Sequence, residues 1–372
     1  MSVSIRHQRT EKYFTAFLCC AFFSLNALAL NPAYIFGAGL LLIILLFITT
    51  KASISKFSFV TLIFGFLILI SQLVGIMYKL RTTGYPDGPN YITPMLFFYS
   101  MLISIGVNET FAHLAKASRI RCYKTFLKIF VIFMSLELIT RIIIGDYSQG
   151  LLYAFKKSIF YFDSNFTSLV DIAVIGFVFF LKNYENKDFK GYRYLIYFFL
   201  ILTMSRAAIV TLLVMLFVFN KKNQIKIRSL VVLFAILIVF ILMSLSYLAG
   251  DNYSNIDGSF NSKFYIIKEA INFYETQPFI VNSFGVGLGN TEQLLGIFAH
   301  NIYVTLAMEF GIVGSVLFFI FILYSICKSK GQAIYVWLPI FISGISLFGA
   351  YSPFLFILNA LIYNEVRAKG EI

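Results

Sequence analysis

Long apolar runs separated by short polar stretches make up most of the chain. A helix needs about 20 mostly apolar residues to cross the hydrocarbon core of a bilayer, and runs of this length recur along the whole sequence. They predict transmembrane helices at about 13–30, 33–50, 57–78, 91–107, 125–144, 159–181, 229–249, 301–326, 332–350 and 352–366. The pattern therefore predicts an all-α, polytopic integral membrane protein with about 10–12 transmembrane segments.

The apolar run at 194–219 differs from the others because Ser205 and Arg206 interrupt it. One straight helix would place an arginine near the bilayer centre, at a cost of at least about 2.5 kcal/mol. Basic residues flank the run on both sides, and cytoplasmic loops are enriched in Lys and Arg. Only two short arms, 194–204 and 207–219, place both flanks in the cytoplasm. We therefore expect a hairpin whose tip carries Arg206 near the outer surface.

The polar stretch at 250–300 is the exception to the apolar pattern, and the hairpin assigns it to the outer side. Loops of this length without a function are uncommon. Four apolar residues within it recur at helical spacing: Phe264, Ile267, Ile271 and Tyr274. They predict an amphipathic helix that lies on the membrane surface and ends at Pro278. We expect a transmembrane bundle at 1–249, a periplasmic loop at 250–300 and C-terminal transmembrane helices at 301–372.

Composition and charge exclude a soluble protein. Hydrophobic residues make up 59% of the chain and charged residues 13%, with a mean hydropathy of +0.84, whereas soluble domains are about 45–50% apolar and about 25% charged. A net charge of +13 would suggest a nucleic-acid partner for a soluble protein. In a membrane protein it reflects basic cytoplasmic loops, so we expect no nucleic-acid partner. The four cysteines have no spacing typical of a metal site or a disulfide framework.

Arg206 is the first candidate for chemistry on the outer side. A guanidinium presents a planar fork of donors that fits phosphate oxygens, which indicates an anion-binding role. The alternative is an arginine at the hairpin tip that extends to lipid headgroups.

His300 and Asn301 stand where the long loop meets a transmembrane helix. His7 and His113 fall in stretches assigned to the cytoplasm, so His300 is the only histidine expected on the outer side. An imidazole has an ordinary pKa of about 6.5, which suits proton transfer near neutral pH. Glu309 follows in the same span, where an intramembrane carboxylate indicates a functional site or, equally, a structural partner for a polar group.

Other polar positions predict packing features. Glu137 and Arg141 are one helical turn apart and predict an ion pair. The GVGLGN stretch at 285–290 lacks the strand-to-helix context of a nucleotide-binding loop, so its glycines predict unusual backbone angles. The glycines of the EFGIVG stretch at 309–314 predict close helix packing. Three residues near the start of the span at 159–181 are candidates to line a cavity: Asp163, Asn165 and Asp171.

The order of these motifs resembles the O-antigen polymerase and O-antigen ligase superfamily. The motifs are, in chain order, Met204-Ser205-Arg206-Ala207 in the hairpin, the long outer loop, GVGLGN, His300-Asn301-Ile302-Tyr303 and EFGIVG. The resemblance covers roughly residues 159–366 and is specific in order and spacing. The first 150 residues are similar to the family only in being hydrophobic spans.

The resemblance implies a bacterial inner-membrane glycosyltransferase with a GT-C-like, all-helical fold and an active site on the periplasmic side. Such enzymes take a glycan from undecaprenyl diphosphate, and they need no metal, other cofactor or nucleotide sugar. Polymerases pass the glycan to another lipid-linked repeat unit, whereas ligases pass it to lipid A-core. The family also suggests membrane lipid and a protein that controls chain length as partners.

The resemblance assigns roles residue by residue. Arg206 would hold the diphosphate and His300 would act at the acceptor hydroxyl, with Asn301 and Glu309 as further substrate-binding candidates. Many relatives carry an arginine at the start of the loop helix. This sequence has Lys263 there, and a lysine lacks the two-pronged contact with phosphate.

Four functions compete at this stage. The resemblance favours a polymerase over a ligase, because this divergent chain rich in Phe, Ile and Tyr is similar to the polymerases of variable sugar gene clusters. A flippase or other secondary transporter is the third alternative, but transporters commonly show repeated halves, and we see none in the sequence. A structural scaffold is the fourth, and the ordered array of Arg206, Lys263 and His300 argues against it.

Overall fold

The described part of the chain folds into helices, as the apolar runs predict. A computed structural model describes residues 2–23, 54–145, 147–148, 158, 164–219, 258–296, 301–345 and 353–370. Its helices are α1 Ser2–Phe22, α2 Lys56–Thr82, α3 Ile92–Ala112, α4 Lys116–Ile144, α5 Ser164–Asn183, α6 Lys190–Leu202, α7 Arg206–Phe219, α8 Gly258–Thr276, α9 Phe279–Phe284, α10 Thr291–Leu295, α11 Ile302–Val304, a π-helix Thr305–Phe310, α12 Gly311–Lys328, α13 Ile334–Ser343 and α14 Phe354–Ala368.

Four helical stretches among these residues are long and apolar enough to cross a membrane: Lys56–Thr82, Ile92–Ala112, Ser164–Asn183 and Ile302–Lys328. They confirm an all-α, polytopic membrane protein. The predicted spans at 33–50 and 229–249, and the second half of the span at 13–30, lie outside the described residues.

Contacts between helix termini define two ends of the bundle. At the inner end, Arg119 forms an ion pair with Glu365 at 2.6 Å. The amide nitrogen of Asn183 donates there to the hydroxyl of Tyr335 at 3.0 Å. The inner end comprises residues 108–124, 183–193, 325–335 and 359–370. The outer end comprises residues 82–92, 164–168, 203–206, 285–296, 301–302 and 342–345, and this grouping agrees with the two sides that the charges predict.

The structure confirms the hairpin. Helices α6 and α7 are separate, and the chain reverses between them at Met204, whose φ of 55° is unusual for a residue with a side chain. The side-chain amide of Asn183 donates to the carbonyl oxygen of Phe219 at 2.7 Å. The end of α7 therefore lies beside the end of α5 at the inner end, close to where α6 begins.

Helix α5 forms the centre of the bundle. It is apolar on all sides, as expected for a helix enclosed by others, and 94% of its most apolar stretch is buried. Helices α6, α7, α13 and α14 pack around it. A second group of aromatic rings joins α3 to the C-terminal helices, where Phe97 lies edge-on to Phe310 and Phe356, with ring centres 5.2 and 5.5 Å apart. This core fixes the positions of the helix termini at the outer end.

Candidate functional site

The hairpin tip is held at the outer end by a hydrogen bond to α5. Ser205 is 4% exposed, and its hydroxyl donates to the side-chain oxygen of Asn165 at 3.0 Å. Arg206 follows as the first residue of α7, with an exposed side chain. The fold thus presents the predicted anion-binding guanidinium at the outer end, on a tip anchored to the start of α5.

The glycine-rich loop at 285–290 adopts a backbone that favours glycine. Gly285, Gly287 and Gly289 have φ values of 78°, 80° and 79°. Residues with a β-carbon rarely occupy this region. The prediction that this stretch needs unusual backbone angles is therefore confirmed.

The loop packs against a break in the following transmembrane helix. The π-helix ends at Gly311, whose φ of 64° interrupts the regular hydrogen-bond ladder. The carbonyl oxygens of Met308 and Glu309 accept instead from the amides of Val286 and Gly287, at 2.8 and 3.0 Å. The two glycine motifs of the sequence therefore form one structural unit.

Glycine is required on both sides of this contact. A β-carbon on Gly285 would overlap with the carbonyl oxygen of Glu309 and the amide of Gly311, and one on Gly311 would overlap with the amide of Gly285. A β-carbon on Gly314 would lie 3.2 Å from the β-carbon of Phe310. The close packing predicted for the EFGIVG stretch is confirmed.

Glu309 fixes the loop through its carboxylate. The hydroxyl of Thr291 donates to it at 2.7 Å, and the amide of Thr291 donates at 3.3 Å. The residue is 6% exposed. These contacts join the glycine-rich loop to the π-helix, so within the described structure Glu309 supports the shape of the site.

Side chains from the first 150 residues complete the anchoring of the loop. The side-chain oxygen of Gln72 accepts from the amide of Leu288 at 2.9 Å, and the amide of Asn90 donates to the side-chain oxygen of Asn290 at 2.7 Å. The sequence analysis missed these partners because they stand 200 or more positions away from the motifs. The only available signal was that Gln72 is polar within an apolar span.

Tyr85 closes the same contact from the connection between α2 and α3. Its hydroxyl donates to the carbonyl oxygen of Val286 at 2.9 Å. Burial, and to a smaller extent the neighbouring Tyr91, raises the pKa of Tyr85. The phenol therefore stays protonated at physiological pH and remains a hydrogen-bond donor.

Lys79 joins α2 to the end of the loop helix α8, and sequence analysis missed it as well. Its ammonium donates to the hydroxyl of Thr83 at 2.9 Å and to the side-chain oxygen of Gln277 at 3.3 Å, and it lies 5.3 Å from the ring centre of Phe273. A cation is stabilised beside the carbonyl-rich C-terminus of a helix. Lys79, which is 3% exposed, therefore anchors α8 at the outer end.

The predicted loop helix is confirmed, and it ends at Thr276, just before Pro278. Ile266 and Ala270 pack on α11 and the π-helix, whereas Ile271 is 42% exposed. One apolar side of α8 therefore packs on the helix that follows the loop, and the orientation of α8 to the membrane surface stays a prediction.

Asn301 fixes the start of the helix that follows the loop. Its side-chain oxygen accepts from the amide of Tyr303 at 2.8 Å, which caps α11. The amide of Ile302 donates to the carbonyl oxygen of Gly344 at 2.8 Å. Asn301 is 1% exposed, and its side-chain nitrogen has no hydrogen-bond partner among the described residues.

Two of the predicted site residues cannot be placed in this arrangement. The structure does not describe His300, which directly precedes Asn301. It also does not describe the side chain of Lys263 in α8. The structure places Arg206 and Asn301 at the outer end, and Glu309 of the π-helix contacts Thr291, which also lies there.

The predicted ion pair of Glu137 and Arg141 is confirmed, and both residues are buried. The hydroxyl of Ser158 donates to the Glu137 carboxylate at 2.9 Å. Asp171, fully buried, lies close enough to interact electrostatically with this pair. Among the three cavity candidates, Asn165 holds the hairpin tip, Asp171 is enclosed in the core, and Asp163 lies outside the described residues.

Comparison with known proteins finds one family match. The family model described as O-Antigen ligase matches residues 194–319, about a third of the chain. The match supports the resemblance to the O-antigen polymerase and ligase superfamily. A search of curated proteins gives no match. The family indicates a glycosyltransferase-like enzyme of O-antigen or polysaccharide assembly, with lipid-linked oligosaccharide and membrane lipid as substrates.

Proposed function

We propose that this membrane protein is an O-antigen polymerase, which joins undecaprenyl-diphosphate-linked repeat units at the periplasmic face of the bacterial inner membrane. The observation that supports this most is the meeting of the hairpin tip, the glycine-rich loop, the π-helix and Asn301 at one end of the bundle. All four belong to the region that matches the family. We retain the division into a bundle at 1–249, a periplasmic loop at 250–300 and C-terminal helices at 301–372.

Arg206 is proposed to hold the diphosphate of the donor. The bond from the sugar to the diphosphate oxygen breaks during transfer, so negative charge develops on the leaving group. Fixed cationic donors stabilise that charge, and an exposed guanidinium on an anchored tip is suited to this role. Lys263 on the loop helix is the proposed second cation.

His300 is proposed to accept the proton of the acceptor hydroxyl as the new glycosidic bond forms, while undecaprenyl diphosphate leaves. Asn301, the next residue, caps α11, and the first residue of α11, Ile302, donates to Gly344 at the end of α13. The place of His300 next to Asn301 in the sequence supports this assignment, and a neutral imidazole is a suitable base near pH 7. Glu309 supports the same region by fixing the loop.

The second candidate is an O-antigen ligase, which the description of the family model favours. Both enzymes break the same bond in the donor, and they differ in the acceptor. The buried contacts of the glycine-rich loop serve either reaction, because they determine the shape of the site.

The glycan phenotype of a deletion strain separates the candidates. A polymerase predicts lipid A-core that carries a single repeat unit. Bare core, with polymer retained on the carrier lipid, would indicate a ligase instead. Repeat units trapped on the cytoplasmic face would contradict both and indicate a flippase.

A further inference from the structure

A cavity of about 740 Å³ lies at the inner end, far from the glycine-rich loop. It is an open pocket lined mainly by α1 and α4, with Tyr192 of α6, and its volume is within the range of about 300–1,000 Å³ found for small-molecule sites. Four of its lining residues are basic: Lys12, Arg121, Lys124 and Lys128.

The cavity carries an excess of positive charge. Glu11 is its only acidic lining residue. This carboxylate accepts from Nε of Arg121 at 2.9 Å and from the hydroxyl of Ser118 at 2.6 Å, so it neutralises the arginine. Lys12, Lys124 and Lys128 have no salt bridge within the described chain. Three positive charges therefore face the cavity without a described counter-ion.

The cavity lies at the cytoplasmic starts of three apolar runs of the sequence, where we expect polar headgroups to meet acyl chains. The predicted spans begin near residues 13, 125 and 194, and the lining residues on all three helices stand at these starts. Beyond the basic residues, the wall includes Ala16, Thr125 and Ile129, which suit the glycerol region and the first methylenes of a lipid. Basic pockets between transmembrane helices on the cytoplasmic side bind anionic lipid headgroups.

We propose that this cavity binds the phosphate headgroup of an anionic membrane lipid from the cytoplasmic leaflet. The three lysines contact the phosphate oxygens, and the Glu11–Arg121 pair holds α1 against α4 so that the site stays formed. Free phosphate shares the charge of this headgroup. The interfacial depth and the mixed wall favour the lipid.

The test uses the purified full-length protein and native mass spectrometry with added phosphatidylglycerol, with phosphatidylcholine as the neutral probe. The variant combines Lys12→Gln, Lys124→Gln and Lys128→Gln. Its matched control combines Lys187→Gln, Lys190→Gln and Lys330→Gln, which removes three exposed lysines from the same end outside the cavity.

We expect the cavity variant to bind phosphatidylglycerol on the order of 100-fold more weakly, since each lysine near an anionic headgroup contributes about a factor of five. The control should bind like the wild type.

A second variant, Ala16→Trp, places a large ring in the cavity and leaves the charge unchanged, so it should also lose bound phosphatidylglycerol. Equal losses in the cavity variant and the lysine control would overturn the proposal, because they would show only a general attraction to basic residues. So would unchanged binding in both cavity variants, or displacement of the lipid by equimolar inorganic phosphate. These readouts measure lipid binding directly and do not depend on the proposed glycosyl transfer.

Discussion

At the residue scale, Arg206 combines an exposed guanidinium with a fixed backbone. Ser205 is buried and bonded to Asn165, so the residue that follows it starts α7 at a defined position. Arg206→Lys keeps the charge but loses the planar fork of donors, at a cost of about 1–3 kcal/mol. We expect polymer formation to slow by about 5- to 150-fold. The measurement is polymer yield per unit of inserted protein, and full activity in Arg206→Ala would leave only lipid contact as its role.

His300 supports a second prediction at this scale. Glutamine can hydrogen-bond to an acceptor hydroxyl but does not take up a proton near neutral pH. We therefore expect both His300→Ala and His300→Gln to abolish or severely reduce polymer at normal levels of inserted protein. The check is the glycan ladder of each variant. If His300→Gln retains wild-type rate and chain length, the residue only orients the acceptor.

At the element scale, the glycine-rich loop and the π-helix act as one unit. Gly311 and Gly296 both have positive φ values, 64° and 67°, but only Gly311 faces the backbone of another segment. Alanine at either position incurs backbone strain of about 1–2 kcal/mol. Gly311→Ala must also displace the loop, so we expect a much larger loss of thermal stability in detergent than for Gly296→Ala. Similar melting temperatures for the two variants would show that the contact is not tight.

The same unit shows how far the sequence could be interpreted. The unusual angles of the GVGLGN stretch followed from its glycines, and the hairpin followed from an arginine within an apolar run flanked by lysines. The mutual contact of the two glycine motifs was not predictable, because it depends on where a helix breaks. The partners Gln72 and Asn90 are ordinary residues when considered in sequence.

At the scale of the whole molecule, the hairpin determines the side on which every later segment lies. We predict that residues 220–228 are cytoplasmic and 250–300 periplasmic. In a variant without native cysteines, Gln224→Cys should resist a membrane-impermeant maleimide added to intact cells, and Asn255→Cys should react. Labelling of position 224 alone would place the long loop in the cytoplasm and remove the site from the periplasm.

Two groups of contacts stabilise opposite ends of the bundle. The inner end relies on buried ion pairs such as Arg119–Glu365. At the outer end, neutral hydrogen bonds join the loop to α2 and α3, and the charged groups of Lys79 and Glu309 add further contacts. The proposed site and the basic cavity therefore lie at opposite ends of the bundle.

The most direct test of the proposed function is reconstitution of the purified protein with undecaprenyl-diphosphate-linked repeat units. The proposed function predicts a ladder of longer glycans on the carrier lipid, together with released undecaprenyl diphosphate and no lipid A-core in the reaction. The His300→Gln variant should yield unextended repeat units under the same conditions. The polymerase would be contradicted if the wild-type protein did not extend the glycans and transferred them only after lipid A-core was added. That result would assign the ligase reaction instead.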